Sequence, residues 1–168
     1  MASKVGKTRV LNLSLANDVD IRLMVQSDLG QLEEICRQHA MFEQASWKTC
    51  DNRIGKWSVQ LLSHQPRARC WVAVQDTMIC GYVACSMEYS LWRAGEYLNM
   101  DSLFGVETHR NQGRGTLLMA KVLAFAQENE IQHLEWQTPA WNLPAIQFYR
   151  LKGASHTIKC RFSMISDR

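Results

Sequence analysis

A chain of 168 residues, 46% hydrophobic and 21% charged, suits one globular domain with a single core. Its net charge of +3 comes from Lys and Arg scattered along the chain, which argues against a nucleic-acid binder, and no window approaches the roughly 20 apolar residues of a membrane span. Six cysteines without a CxxC pair or zinc-like His spacing argue against a metal site or a disulfide framework, and suggest reduced thiols in a cytoplasmic protein.

Residues 1–17 begin polar and lysine-bearing and carry no secretory leader, so they read as a flexible extension before one domain over 18–168. Val19 to Val25 alternates apolar and polar residues, as a strand does. Ser27 and Asp28 offer a cap, with Gln31 three residues after Asp28, for a helix running to Phe42. A short helix is expected around Gly55 to Leu62. Arg69 to Gln75 and Ile79 to Ser90 read as an antiparallel hairpin turning near Asp76 and Thr77. Glu96 to Val106 is a long strand, in which Gly105 suggests a bulge. A loop follows, then a helix with Leu118, Val122 and Phe125 on one stripe, then a strand at His133 to Thr138. Asn142 and Pro144 open a short helix that Gly153 closes, and Ser155 to Ile165 reads as a last strand or hairpin. The strand–loop–helix–strand unit over Glu96 to Thr138 implies a parallel pair within an otherwise antiparallel sheet, an α/β fold.

The segment Arg110-Asn111-Gln112-Gly113-Arg114-Gly115 reads R-x-x-G-x-G between a strand and a helix. Glycines let the backbone turn tightly and approach a ligand. The first amides of the following helix have no internal partners, and the helix dipole favours an anion there. Arg110 and Arg114 can add charge-assisted bonds, each contact contributing about 0.3–1 kcal/mol when exposed. The spacing fits neither the dinucleotide fingerprint nor the Walker loop, and on its own it is equally a glycine turn before a helix.

That loop, preceded by LNMDSLFGVETH and followed by LEWQTPAWNLPAIQFYRLKGAS, resembles the GNAT superfamily of N-acetyltransferases. The Y-L-x-x-D strand, the W-N-x-P-x-I-x-F-Y segment and the HAMFE run at His39 to Glu43 are similar to the spermidine/spermine and diamine N-acetyltransferases. The resemblance implies a mixed, mostly antiparallel sheet with a central, splayed parallel pair and flanking helices. It also implies acetyl-CoA as co-substrate, a small-molecule primary amine as acceptor and pairing into a homodimer. Phe104 and Val106 would offer backbone groups to acetyl-CoA. Arg110, Gln112, Gly113, Arg114, Gly115 and Thr116 would cradle its pyrophosphate. Asn142 would contact the cofactor while capping its helix, and Tyr149 would protonate the leaving thiolate. Without the resemblance, Asn142 is simply an N-cap and Tyr149 a core tyrosine with its hydroxyl at the edge.

The reaction sets its own demand. A primary ammonium with a pKa of about 10.4 presents roughly one free amine in a thousand at pH 7, a penalty of about 4 kcal/mol. A carboxylate can bind the cation and take its proton, and Asp101 stands at the strand position where polyamine enzymes of this family carry one. Glu43 and Trp92 are further substrate candidates, through cation attraction and packing on alkylammonium chains respectively. Two departures weaken a polycation: Ser102 replaces a second acid, and the longer aromatic and acidic tail is missing. A protein amine or an aminoglycoside as acceptor, and a non-catalytic acetyl-CoA-binding module, stay open as alternatives.

Overall fold

The computed structural model describes residues 19–164. Its sheet grows from the hairpin of β2 (Ala68–Gln75) and β3 (Met78–Ser90). Asp76 and Thr77 both take positive φ, 48° and 70°, the primed turn whose twist matches the flanking strands. β1 (Asp20–Leu23) pairs with β2 and β4 (Gly95–Gly105) with β3, all antiparallel. α3 (Arg114–Glu128) then carries the chain back to β5 (Leu134–Trp136), parallel to β4. The order is β1-β2-β3-β4-β5. The parallel pair therefore stands at one end of the described sheet, a correction to the expected central position. β5 pairs only with Leu98 to Met100, while β4 runs on to Gly105.

Each face of the sheet is covered. Cys70, Val72, Tyr82 and Phe104 pack with Leu29, Leu32 and Ile35 of α1 (Leu29–Phe42) and with Trp57, Leu61 and Leu62 of α2 (Arg53–Leu62). Strand alternation turns Trp71 and Val83 the other way, toward α3. There Trp71 and Phe125 lie 5.5 Å apart, and the predicted stripe residues Leu118 and Val122 are fully buried. Burying such a side chain contributes about 1.5–3 kcal/mol. Gly81 lets α3 approach closely: a Cβ there would stand 3.2 Å from Leu118 Cδ1 and 3.0 Å from the Phe104 carbonyl. The thiols of Cys70, Cys80 and Cys85 are buried among these groups.

The bulge in β4 lies at Asp101 instead of Gly105. Ser102 pairs with Ala84 and Met100 with Cys85, so Asp101 is the extra residue, while Gly105 pairs in register with Gly81. One extra residue reverses the phase of a strand. Upstream of it the Leu98 N–H faces β5, donating to the His133 carbonyl. Downstream the Val106 N–H faces β3, donating to the Cys80 carbonyl.

From Gln137 onward the described chain forms a second compact unit. Its helix α4 (Leu143–Leu151) starts as expected, with Asn142 Oδ1 accepting from the Ala145 N–H and Pro144 in the first turn. Gly153, at φ 86°, ends it, as the Ala154 N–H returns to the Tyr149 carbonyl. The expected last strand is absent from 155–164, which run as irregular chain. The alternation of Ile158, Cys160 and Phe162 makes a strand only where an edge pairs with it. Residues 1–17 and Ile165 lie outside the described residues.

The start of α1 is tied to the sheet by charge. Asp28 occupies the cap position but turns its carboxylate back, accepting from Arg22 at 2.6 and 2.9 Å and from the Val25 N–H at 2.7 Å. Gln31 does not cap either. It donates to the Thr77 carbonyl at 3.1 Å and accepts from the Ile79 N–H at 2.9 Å, fixing α1 to the hairpin turn. The bond from Arg22 holds the Asp28 carboxyl below its ordinary range. A depressed folded pKa contributes stability above the unfolded value, and that stability is lost as pH falls through the folded value. Asp28→Ala is expected to lower unfolding stability by about 2 kcal/mol at pH 7 in urea titration, with the difference from wild type shrinking below about pH 4.

Candidate functional site

Beyond Gly105 the chain makes a short 3-10 turn, Glu107–His109, and then two left-handed residues, Asn111 (φ 59°) and Gly113 (φ 80°), before α3. No side chain caps α3, and its first helical bond runs from the Leu117 N–H to the Gly113 carbonyl at 3.1 Å. The amides of Gly113, Arg114, Gly115 and Thr116 therefore lack intrahelical partners, at the positive end of a 15-residue helix. A Cβ on Gly113 would meet nothing within 4 Å, so the space beside this turn residue is open. This concave, uncapped turn fits a pyrophosphate.

The arginines of the loop do different work from that expected of their charge. Arg114 is buried, and its guanidinium turns inward to the His109 carbonyl, the Gln112 Oε1 and the Gln75 Oε1 on β2. It braces the loop from beneath, leaving its backbone amide to face outward. The Gln112 side chain is occupied as well, since its amide also donates to the Thr108 carbonyl. Arg110 lies over Phe42 and Phe104, 4.4 and 5.2 Å from the ring centroids, and its Nε donates to the Gly105 carbonyl at 2.8 Å. Of the loop's expected contributions, backbone amides are the ones left facing open space.

The backbone groups expected at Phe104 and Val106 require correction. The Val106 N–H is bonded to Cys80 within the sheet, and the Phe104 carbonyl points at Gly81 on β3. After the bulge, Leu103 and Gly105 are the residues whose backbone faces the open side of β4, as the Arg110 bond to the Gly105 carbonyl shows. The motif alone gives no warning of the bulge.

Asp101 is exposed and accepts from Ser102 Oγ at 3.1 Å. Its charge is felt by Cys36 and His39 of α1, which puts it on the α1 face. Glu43, just past the end of α1, lies on the same face: its Oε1 is 3.4 Å from His39 Nε2. His39 Nδ1 lies 2.8 Å from the Tyr82 hydroxyl, and its ring stacks on Phe104 at 4.7 Å. Burial, with Arg110 in support, lowers the His39 pKa, against the pull of Glu43 and Asp101. Burial likewise pushes Tyr82 well above its ordinary range and the Cys36 thiol up to about 11. The group gathers two carboxylates, a neutral imidazole and a protonated phenol beside the open edge of β4.

Sequence reasoning passed over His39, although its i,i+4 spacing to Glu43 was a usable signal. Gln75 gave none. Trp92 is not brought to the group: it sits 98% exposed at the β3–β4 turn, some six strand residues or about 20 Å from Asp101. Asn142 and Tyr149 belong to the second unit, where Asn142 caps α4 and Tyr149 lies on it with its ring 5.3 Å from that of Phe148.

The model of the acetyltransferase (GNAT) family matches residues 31–153, more than two thirds of the chain. The chain belongs to that family. As a GNAT acetyltransferase it has acetyl-CoA as acyl donor, in keeping with the open cradle before α3. It is 25% identical over 144 residues to a thialysine N-epsilon-acetyltransferase of Mus musculus, covering 80% of this chain and 82% of that protein. It is 30% identical over 81 residues to an L-ornithine N5-acetyltransferase of Arabidopsis thaliana, covering 48% of this chain and only 36% of that one. The fold is similar to an aminoglycoside acetyltransferase from an uncultured soil metagenomic sample, with TM-score 0.73, 15% identity, and 88% and 97% of the two chains covered. It is similar too to AAC(6')-Iy bound to a CoA bisubstrate analogue, with TM-score 0.73, 16% identity, and 90% and 100% covered.

In this GNAT chain Gly113→Ala is expected to cost about 1 kcal/mol of stability from the left-handed backbone, and to weaken acetyl-CoA binding several-fold by crowding the helix amides. Urea unfolding and isothermal titration read the two effects separately, and an unchanged acetyl-CoA Kd would remove the amide turn from the binding site.

Proposed function

We propose that the protein acetylates a primary amine of a small cationic molecule, a diamine or an amino-acid-like amine, at the group of carboxylates beside β4. The observation that carries this reading is Asp101, the extra residue of the bulge, whose charge acts on His39, the residue that Glu43 lies against. Two carboxylates there attract an ammonium and hold it against the open strand edge. Support also comes from the resemblance to the diamine N-acetyltransferases, and from two relatives whose names put the acetyl group on a side-chain nitrogen of an amino acid.

In this mechanism the bound acetyl-CoA supplies an acetyl thioester. Asp101 and Glu43 bind the ammonium, and Asp101 accepts its proton, directly or through water, so that the amine can attack. The backbone of Leu103 and Gly105 orients the donor along β4, and the first amides of α3 hold its pyrophosphate. Tyr149 returns a proton to the departing thiolate. Pairing into a homodimer, which many members of the family show, belongs to the same proposal, and light scattering reads it.

The first experiment is thiol release from acetyl-CoA with spermidine, putrescine, L-ornithine, thialysine, an aminoglycoside and an N-terminal peptide as acceptors. Turnover is expected with putrescine or one of the two amino acids, and exclusive use of the peptide would overturn the small-amine reading. Tyr149→Phe is expected to lower kcat about 100-fold with acetyl-CoA affinity kept. Asp101→Asn is expected to raise the KM of the amine about tenfold or more, and an unchanged amine KM would remove Asp101 from the acceptor site.

A further inference from the structure

One buried titratable side chain takes no part in the chemistry above. His39 lies in the last turn of α1 with its side chain 13% exposed, stacked on Phe104 and flanked by Tyr82 and Glu43. Its partners dictate its proton. A carboxylate only accepts, so Nε2, 3.4 Å from Glu43 Oε1, carries the hydrogen. Nδ1 is then bare and accepts from the Tyr82 hydroxyl at 2.8 Å.

Glu43 needs such an anchor. It stands at the C-cap of α1, where the helix dipole is negative and repels a carboxylate by about 0.3–1 kcal/mol. Untied, it would turn to solvent. The charged and titratable groups facing the imidazole are Glu43 and Cys36 from α1, Tyr82 from β3, Asp101 from β4 and Arg110 from the following loop.

We propose that His39 is a positioning residue for the acceptor amine: its neutral imidazole holds the Glu43 carboxylate beside Asp101, and its protonation closes that site to cations. The proposal rests on the reading of Asp101 and Glu43 as the cation-binding pair. A second proton makes Nδ1 a donor, which forces the Tyr82 bond to reverse. It also sets a positive charge among the carboxylates that the ammonium must reach. Burial and Arg110 keep that proton off at neutral pH, so the closure belongs to acid conditions below the ordinary His range.

The test is steady-state kinetics from about pH 5 to 9 at saturating acetyl-CoA, varying whichever acceptor of the panel turns over fastest, with His39→Gln, His39→Phe and Glu43→Gln. In the wild type, log kcat/KM for the amine falls with unit slope as the amine protonates, and steepens toward two below the His39 pKa. His39→Gln can still accept from Tyr82 and donate to Glu43, so it keeps the amine KM near neutrality and the unit slope throughout. His39→Phe keeps the stacked ring without either bond, and raises the amine KM about tenfold with the acetyl-CoA KM unchanged. A wild-type amine KM in a folded His39→Phe protein overturns the positioning role. A steepened acid limb that persists in His39→Gln overturns the closure. If His39→Phe does not fold, the His39→Gln profile decides. An unchanged amine KM in Glu43→Gln, or no turnover with any panel amine, overturns the cation-pair reading and this proposal with it. A raised KM in Glu43→Gln beside a normal one in His39→Phe overturns only the role of His39.

Discussion

One inserted residue governs the site. Without the bulge at Asp101, the phase set by the Leu98 bond to His133 would carry the Phe104 and Val106 backbone to the open side of β4. With it, those groups turn into the sheet, and Leu103 and Gly105 take their place. The same insertion puts Asp101 and Ser102 side by side on the α1 face, where a regular strand would send one of them toward α3. The cofactor edge and the acceptor carboxylate proposed above are thus two results of a single backbone irregularity.

The cradle before α3 rests on a second economy. Its binding groups are backbone amides, which have a fixed direction and no rotamers to order. The two arginines that a motif reading assigns to the anion serve mostly to shape it. Arg114 ties the loop to Gln75 of β2 from inside, and Arg110 closes the end of β4 by bonding Gly105 and covering Phe42 and Phe104. The positive charge stays nearby, but the geometry is set by what the guanidinium groups hold.

What the sequence made legible follows from what is local. The Asp76–Thr77 turn, the Leu118 and Val122 stripe, the loop before α3 and the Asn142 cap depend on neighbours within a few residues, and each stands where periodicity or capping put it. The bulge at Asp101 depends on the register against β3, the preceding strand, and the partner of Arg114 is 39 residues distant. His39 has a local partner in Glu43, which sets its tautomer, but the bond that Nδ1 accepts comes from Tyr82, which only the fold brings near. The tail residues Ile158 to Phe162 alternate as a strand would, yet alternation states a face and does not supply a partner edge.

The mounting of α1 carries a mechanical consequence. Arg22, Asp28 and Gln31 clamp its first turn to β1 and the hairpin, while His39 and Glu43 ride on its far end. A 14-residue helix is about 20 Å long, so it behaves as a cantilever: a tilt of about one degree at the clamp swings the tip by about 0.4 Å. That displacement is comparable to the tolerance of a hydrogen bond, and it arises far from any atom that touches the amine. With the acceptor site proposed above, amine preference is adjustable by leverage, through residues at the root of α1 that lie about 20 Å from it.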